Sequence, residues 1–243
     1  MGLSHRGSTM FSQRGVVTVV APLVAVVLGL AGCSGSSGTP SGEAAPAGSS
    51  QSRAADEQAI RDTFERYRTA LREQDGESVT SLVTAGTLDY YGELAGLTAT
   101  GGPEEIGARG MTDRMNVAML RHKLGAGKAE GMDGKALLTF AAKGGLVDKS
   151  AVEDFSLGEI TVKGDTAVAS VSPSRQDGPQ LPPRTFARES GQWRVDLLPM
   201  IENTDKTLAQ LAEKYKLTED EVIFKLLSAA TGKQVGQSIF AKP

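Results

Sequence analysis

The chain has 243 residues, a formal net charge of −3 and a single cysteine. One cysteine excludes an intramolecular disulfide, and two histidines are too few for an ordinary zinc site, so we expect no metal and no other cofactor. The mildly acidic balance argues against a nucleic-acid partner. We therefore expect a domain that is stabilised by its packed core.

Residues 1–32 have the organisation of an export signal. Arg6 and Arg14 precede an almost wholly apolar run, residues 16–32, and no acidic residue occurs before it. A basic start, an apolar segment and small residues at its end are typical of a cleaved secretory signal peptide. The run of about 17 residues is at the lower limit for spanning a bilayer, so a permanent transmembrane helix is the alternative.

The apolar run ends in Leu30-Ala31-Gly32-Cys33, which contains the only cysteine. This sequence resembles the lipobox of bacterial lipoproteins, and the high Ala and Gly content is similar to that of actinobacterial ones. The resemblance implies acylation of Cys33, cleavage after Gly32, and anchoring to the extracytoplasmic face of the cell membrane, because two or more acyl chains anchor stably. A free thiol at Cys33 is the alternative. Loss of the two signal-peptide arginines leaves a net charge of −5.

Residues 33–53 are predicted to be the lipidated cysteine and a flexible tether. The stretch 34–53 is rich in Gly, Ser, Pro and Ala and contains no large apolar residue, so it cannot bury surface. Its mean reach as a random coil is about 25 Å. A glycosylated or wall-contacting stretch is the alternative.

From Ala54 the pattern predicts an amphipathic helix, whose apolar residues recur at intervals of four and three: Ile60, Phe64, Tyr67 and Leu71. Asp75-Gly76 ends this helix, and a shorter one with Val79 and Leu82 follows. Residues 88–91, Leu-Asp-Tyr-Tyr, are predicted to be a short strand or loop.

A third helix is predicted from Gly101 to about Leu124. It carries three methionines at intervals of four: Met111, Met115 and Met119. Methionine at helical spacing usually fills irregular gaps in a core, and a wall that faces a ligand is the alternative. The basic stretch 120–123, with His122, is predicted to be solvated. A further helical turn or more is expected over 136–142.

Two β-hairpins are predicted next, with turns at Lys163-Gly164-Asp165 and Ser190-Gly191. In the last strand Trp193, Val195 and Leu197 alternate with Arg194 and Asp196. Helices follow from Thr204 to Gly232, with a capping box at Thr218–Glu221. This helix pair superficially resembles a DNA-reading helix-turn-helix, but the export signal favours a lid or a docking surface for an envelope partner.

This order of elements is similar to the cystatin-like cone folds of the nuclear-transport-factor-two-like superfamily, which includes ketosteroid isomerases and SnoaL-like cyclases. The resemblance is carried by residues 64–71 with Asp75, Val79 and Leu82, and by Trp193-Arg194-Val195. It implies an α+β cone over residues 54–200, in which helices wrap a curved antiparallel sheet around a conical pocket. Residues 201–243 would form a C-terminal helical extension.

The same resemblance implies which residues could carry chemistry. In ketosteroid isomerases a tyrosine on the first helix helps to form an oxyanion hole, and a later aspartate is the general base. Tyr67 resembles that tyrosine, but the base position falls on Tyr91, with Asp89 two residues away, and the second acid has no match. Tyr67 is therefore expected to be core or pocket wall rather than a catalyst. The predicted pocket wall is Tyr67, Tyr91, Met115 and Trp193.

The leading hypothesis is a non-enzymatic, membrane-anchored extracytoplasmic lipoprotein that binds a small apolar ligand or an envelope partner protein. One alternative is an isomerase, dehydratase or cyclase that acts through Tyr67 and Asp89 in the cone pocket. Another is a structural or assembly accessory of the cell envelope.

Overall fold

The computed structural model describes residues 47–144, 155–173 and 181–243. In these residues the chain is mixed α+β, with nine α-helices, one 3-10 helix and a four-stranded antiparallel sheet. The predicted α+β class is confirmed. The predicted signal peptide, Cys33 and residues 34–46 of the predicted tether lie outside the described residues.

The helices that precede the sheet are α1 (Ala47–Glu73), α2 (Gly76–Leu82), α3 (Ala85–Thr100), α4 (Pro103–Gly107), α5 (Met111–Lys123), α6 (Ala126–Ala129) and α7 (Gly134–Lys143). The strands are β1 (Phe155–Lys163), β2 (Thr166–Pro173), β3 (Arg184–Glu189) and β4 (Gln192–Asp196). The chain continues with α8 (Leu198–Tyr215), α9 (Glu219–Thr231) and the 3-10 helix Gln237–Phe240.

The four strands form a meander in the order β1-β2-β3-β4. Both predicted hairpins are confirmed, and their turns use the left-handed backbone that tight turns need: φ is 59° at Gly164, 50° at Ser190 and 76° at Gly191. Trp193 and Val195 are buried on the same face of β4, as the alternation predicts.

Helix α1 packs across this face of the sheet and forms the first core. The Phe64 ring lies 5.7 Å from that of Phe155 on β1 and 6.3 Å from that of Phe186 on β3. On the same helix, Arg61 donates hydrogen bonds of 2.9 and 2.7 Å to the carbonyl oxygens of Leu157 and Gly158, where the register of β1 shifts. The apolar stripe predicted for this helix is confirmed, because all four of its residues are buried.

A second core lies among the helices and includes the C-terminal ones. Its buried residues come from α3, α4, α5, α7, α8, α9 and the 3-10 helix, for example Leu94, Val117, Leu137, Ile223 and Phe240. The buried guanidinium of Arg114 on α5 is ion-paired with Glu219 and Asp220 at the start of α9. Helices α8 and α9 therefore share a core with the helices that precede the sheet. In the described ranges, no helix is both long and apolar enough to cross a membrane.

Several predicted boundaries are wrong. Helix α8 begins at Leu198 rather than Thr204, with Pro199 in its first turn. Helix α1 begins at Ala47 rather than Ala54, so residues 47–53 of the predicted tether are helical. The helix contains no proline that would interrupt it. The predicted third helix is two helices, α4 and α5. They are separated at Gly110, where the Asp205 carboxylate of α8 accepts a 2.6 Å hydrogen bond from the Thr112 amide.

The predicted strand or loop at residues 88–91 is also wrong, because these residues belong to α3. The Thr84 hydroxyl caps the helix by accepting a hydrogen bond from the Thr87 amide. The two adjacent tyrosines favour a strand by propensity, but Leu88, Tyr91 and Leu94 recur at helical spacing and pack inward. Tertiary packing of this periodic face outweighs local propensity.

Candidate functional site

Helices α3, α5 and α7 enclose a cavity of about 250 Å³. Its floor is apolar and buried, and its rim is half-buried and carries two polar side chains. The floor consists of Leu94, Leu120, Leu137 and Ala141, and the rim of Tyr91, Met115, Asn116 and Met119. No charged side chain is among these lining residues.

Helical spacing explains how the lining forms. Met115 and Met119 are one turn apart on α5, and Leu137 and Ala141 are one turn apart on α7, so each pair faces the same space. Ala141 offers only a methyl group where a larger residue would fill the gap. The methionines, being flexible, leave a wall that adapts to its contents. The arrangement can therefore accept an apolar molecule.

The polar groups of the rim are neutral hydrogen-bonding groups. Burial raises the pKa of the Tyr91 hydroxyl, so it remains a protonated donor at neutral pH. Beside it, the Tyr90 hydroxyl donates a 2.6 Å hydrogen bond to the Asp113 carboxylate. Burial and this acceptor raise the pKa of Tyr90, and Asn116 approaches the same hydroxyl. The rim can thus orient a polar end of a ligand without a charge of its own.

The structure places two of the four predicted pocket residues, Tyr91 and Met115, together on this rim. The other two, Tyr67 and Trp193, are buried in the core between α1 and the sheet. Trp193 links α1 to the sheet there. Its indole N–H donates a 3.1 Å hydrogen bond to Asp56 on α1, and the guanidinium of Arg188 on β3 lies 4.6 Å from the centre of the Trp193 ring. Trp193 therefore has a packing role.

The two candidate catalytic side chains are not brought together. Tyr67 is buried, whereas Asp89 is exposed on α3, and no hydrogen bond joins them in the described residues. Burial raises the pKa of Tyr67, the neighbouring Tyr91 raises it further, and the Arg184 guanidinium lowers it. Asp89 is not among these groups. Because a general base must lie within reach of the proton it takes, this geometry offers no acid–base pair.

Five lining residues were not identified from the sequence: Leu94, Asn116, Leu120, Leu137 and Ala141. Of the predicted methionine stripe, Met115 and Met119 line the cavity, whereas Met111 is buried in the second core. The rest of the wall depends on which helices pack beside α5, and no local pattern specifies this.

A second hollow, of about 340 Å³, lies between α1 and α2. It is an open surface groove whose lining includes Glu65, Glu73 and Asp75. Asp75 already accepts hydrogen bonds from the Ser78 amide and hydroxyl as the cap of α2. The helical cavity is more enclosed and more apolar, and it is therefore the better candidate for a binding site.

The described residues contain no cluster of three or more His, Cys, Asp or Glu side chains arranged to hold a metal ion. Comparison of the chain with protein-family models, with curated proteins and with solved structures finds no significant match.

Proposed function

We propose that the protein is a non-enzymatic bacterial lipoprotein, anchored through Cys33 on the extracytoplasmic face of the cell membrane, which binds a small apolar ligand in the cavity between α3, α5 and α7. The observation that carries the binding proposal is the buried apolar floor beneath a rim with two neutral polar groups. Sites for small molecules typically combine these features. The separation of Tyr67 from Asp89 supports a binding role rather than a catalytic one.

The size of the cavity limits the ligand. At about 250 Å³ it exceeds the roughly 150 Å³ apolar cavity that is known to admit benzene or xenon. It is smaller than the roughly 300–1,000 Å³ typical of pockets for drug-sized molecules. We therefore expect a single ring or a short acyl chain.

We further propose that α1 and the sheet correspond to a cystatin-like cone whose interior is filled by the protein's own side chains. The packing of α1 across one face of a four-stranded antiparallel sheet supports this assignment. The burial of Tyr67 and Trp193 at that interface supports the filled interior.

The binding proposal is tested by methyl NMR on the full chain in lipid nanodiscs, labelled with ¹³C at the methionine methyl groups. Toluene is expected to shift the Met115 and Met119 signals in a saturable way and to leave Met200, which packs on the first core, unchanged. Ala141→Leu fills the floor and should weaken binding at least tenfold. Ala136→Leu, the same change on the exposed side of α7, should not.

Uniform small shifts at all methionines, or equal affinity of the Ala141→Leu and Ala136→Leu variants, would contradict the proposal. The spectrum without toluene reports whether each variant is folded, because the methionine signals come from both cores.

A further inference from the structure

Strand β1 forms one edge of the sheet. In the described part of the chain it has a neighbouring strand, β2, on one side only. Near its start, the Arg61 guanidinium already occupies the carbonyl oxygens of Leu157 and Gly158. Among the described residues, no hydrogen bond from outside the β1–β2 hairpin reaches residues 159–163. The backbone groups of this open edge are therefore available to another strand.

The hairpin turn determines which backbone groups face the open edge. It has two central residues and is flanked by Lys163 and Thr166, which are paired. The residues that flank such a turn form a hydrogen-bonded pair, and along an antiparallel ladder these pairs alternate with non-hydrogen-bonded ones. Lys163 and Thr161 therefore bond to β2. The N–H and C=O groups of Ile160 and Val162 point away from β2, towards the open edge.

The open edge is self-complementary when a second copy runs antiparallel to it. A two-fold axis through Thr161 places this residue opposite itself, and it places Ile160 opposite Val162 of the second copy. These are the residues whose backbone groups are available, so each facing pair can exchange both of its hydrogen bonds. On the inner face of the sheet, the buried Ile160 and the half-buried Val162 then provide neighbouring apolar side chains.

The exposed charges favour the same register. Glu159, Thr161 and Lys163 are all exposed on β1. With the axis at Thr161, each Glu159 carboxylate faces a Lys163 ammonium of the second copy, whereas an axis at Glu159 or at Lys163 would bring like charges together. Opposite charges across a ladder are favourable and like charges are unfavourable. Charges on an edge usually discourage pairing, but the order of these two restricts pairing to a matching strand.

We propose that β1 is the docking edge for a second copy of this chain, which pairs with it antiparallel in the register centred on Thr161 and joins the two sheets into one. The dimer does not depend on the ligand proposed for the helical cavity.

Disulfide trapping on the full chain in detergent micelles tests the register. Thr161→Cys is expected to give a linked dimer on oxidation, because the Cα atoms of a facing non-hydrogen-bonded pair are about 4.5 Å apart, within disulfide range. Val168→Cys is the control, because Val168 is exposed and pairs with Thr161 in the hairpin. Its two copies are three strand spacings apart, about 14 Å, and should not link. The unmodified chain reports any disulfide formed through Cys33.

Charge reversal tests what specifies the partner. Glu159→Lys or Lys163→Glu should each raise the dissociation constant of the dimer at least tenfold, as measured by sedimentation equilibrium in detergent at low salt, because each brings like charges together. The double variant restores opposite charges and should return the constant to within about twofold of the original. The emission of Trp193 reports whether each variant is folded.

A chain that sediments as a monomer, or equal linking of Thr161→Cys and Val168→Cys, would overturn the proposal. It would also be overturned if the single reversals left the dissociation constant unchanged, or if the double variant remained as weak as the single ones.

Discussion

Arg121 is a buried cation whose hydrogen bonds go entirely to backbone carbonyl oxygens. It donates to Thr98 and Gly101 at the end of α3, at 2.9 and 2.6 Å, and to Ile239 and Ala241 near the C-terminus, at 3.0 and 2.9 Å. The last carbonyls of a helix lack intrahelical partners and carry a partial negative charge. Arg121 therefore supplies hydrogen-bond donors to the last carbonyl groups of α3 and holds the C-terminal segment against this helix.

Arg121→Met should lower the free energy of unfolding by about 3 kcal/mol, because buried carbonyl oxygens would lose their donors. Lys123→Met is the matched control on the exposed side of α5, and its effect should stay within about 0.5 kcal/mol. Urea unfolding monitored by the fluorescence of Trp193, the only tryptophan, measures both. Equal effects of the two substitutions would show that the Arg121 hydrogen bonds contribute no stability.

The sequence identified buried apolar residues better than it identified buried polar ones. The spacing of Phe64 and Tyr67 placed both correctly in a core. Arg121 was expected to be solvated because it belongs to the basic stretch 120–123, and that expectation is wrong. Its acceptors come from residues 97–101 and 239–241, and no local pattern indicates that these segments meet around one guanidinium.

Among the helices, α7 approaches α3 and α2 at unusually short range. A Cβ atom at Gly134 would lie 1.7 Å from the Leu88 carbonyl oxygen of α3, and one at Gly76 would lie 2.7 Å from the Cα of Thr139. Both positions thus require glycine because of close backbone approach rather than turn geometry. These two close contacts fix the position of α7, which carries two residues of the cavity floor.

Gly134→Ala should destabilise the protein by about 1–3 kcal/mol or more, because α7 must move away from α3. Gly96→Ala provides the contrast: a Cβ there meets nothing within 4 Å on the exposed side of α3. It should be neutral or stabilising by up to about 1 kcal/mol. Thermal unfolding of the two variants beside the unmodified chain tests this, and a Gly134→Ala variant as stable as Gly96→Ala would refute the close contact.

Short sequence patterns predicted several helix ends correctly. Thr218 and Glu221 form the expected capping box, with the Glu221 carboxylate accepting a 2.7 Å hydrogen bond from the Thr218 amide. Helix α1 ends at Glu73, just before Asp75-Gly76, and Gly232 ends α9 with φ of 67°. These features depend on neighbours in sequence. The division of residues 101–124 into two helices depends on Asp205, which is distant in sequence and was therefore missed.

In the molecule as a whole, the candidate site lies among helices and not beneath the sheet. The sequence analysis grouped Tyr91 and Met115, which both line the cavity, with Tyr67 and Trp193, which do not, because of the resemblance to a cone. The side chains of α1 and the strands fill that interface. The cavity arises where α3, α5 and α7 meet, and their arrangement is a long-range property that periodicity does not encode.

The proposed membrane anchor makes a separate prediction about the whole chain. Cys33→Ala should move the protein from the detergent phase to the aqueous phase in phase-partitioning of cell extracts, because two or more acyl chains account for stable anchoring. Ser36→Ala, in the same stretch, should leave the protein in the detergent phase. Retention of Cys33→Ala in that phase would exclude lipidation as the anchor.

The most direct test of the helical binding site is a crystal structure of the protein exposed to iodobenzene, with the iodine located by anomalous scattering. The account predicts an iodine peak in the cavity, in contact with Met115, Met119 and Leu137, and its loss in the Ala141→Leu variant. Iodine only elsewhere, above all between Tyr67 and Trp193 beneath the sheet, would contradict it.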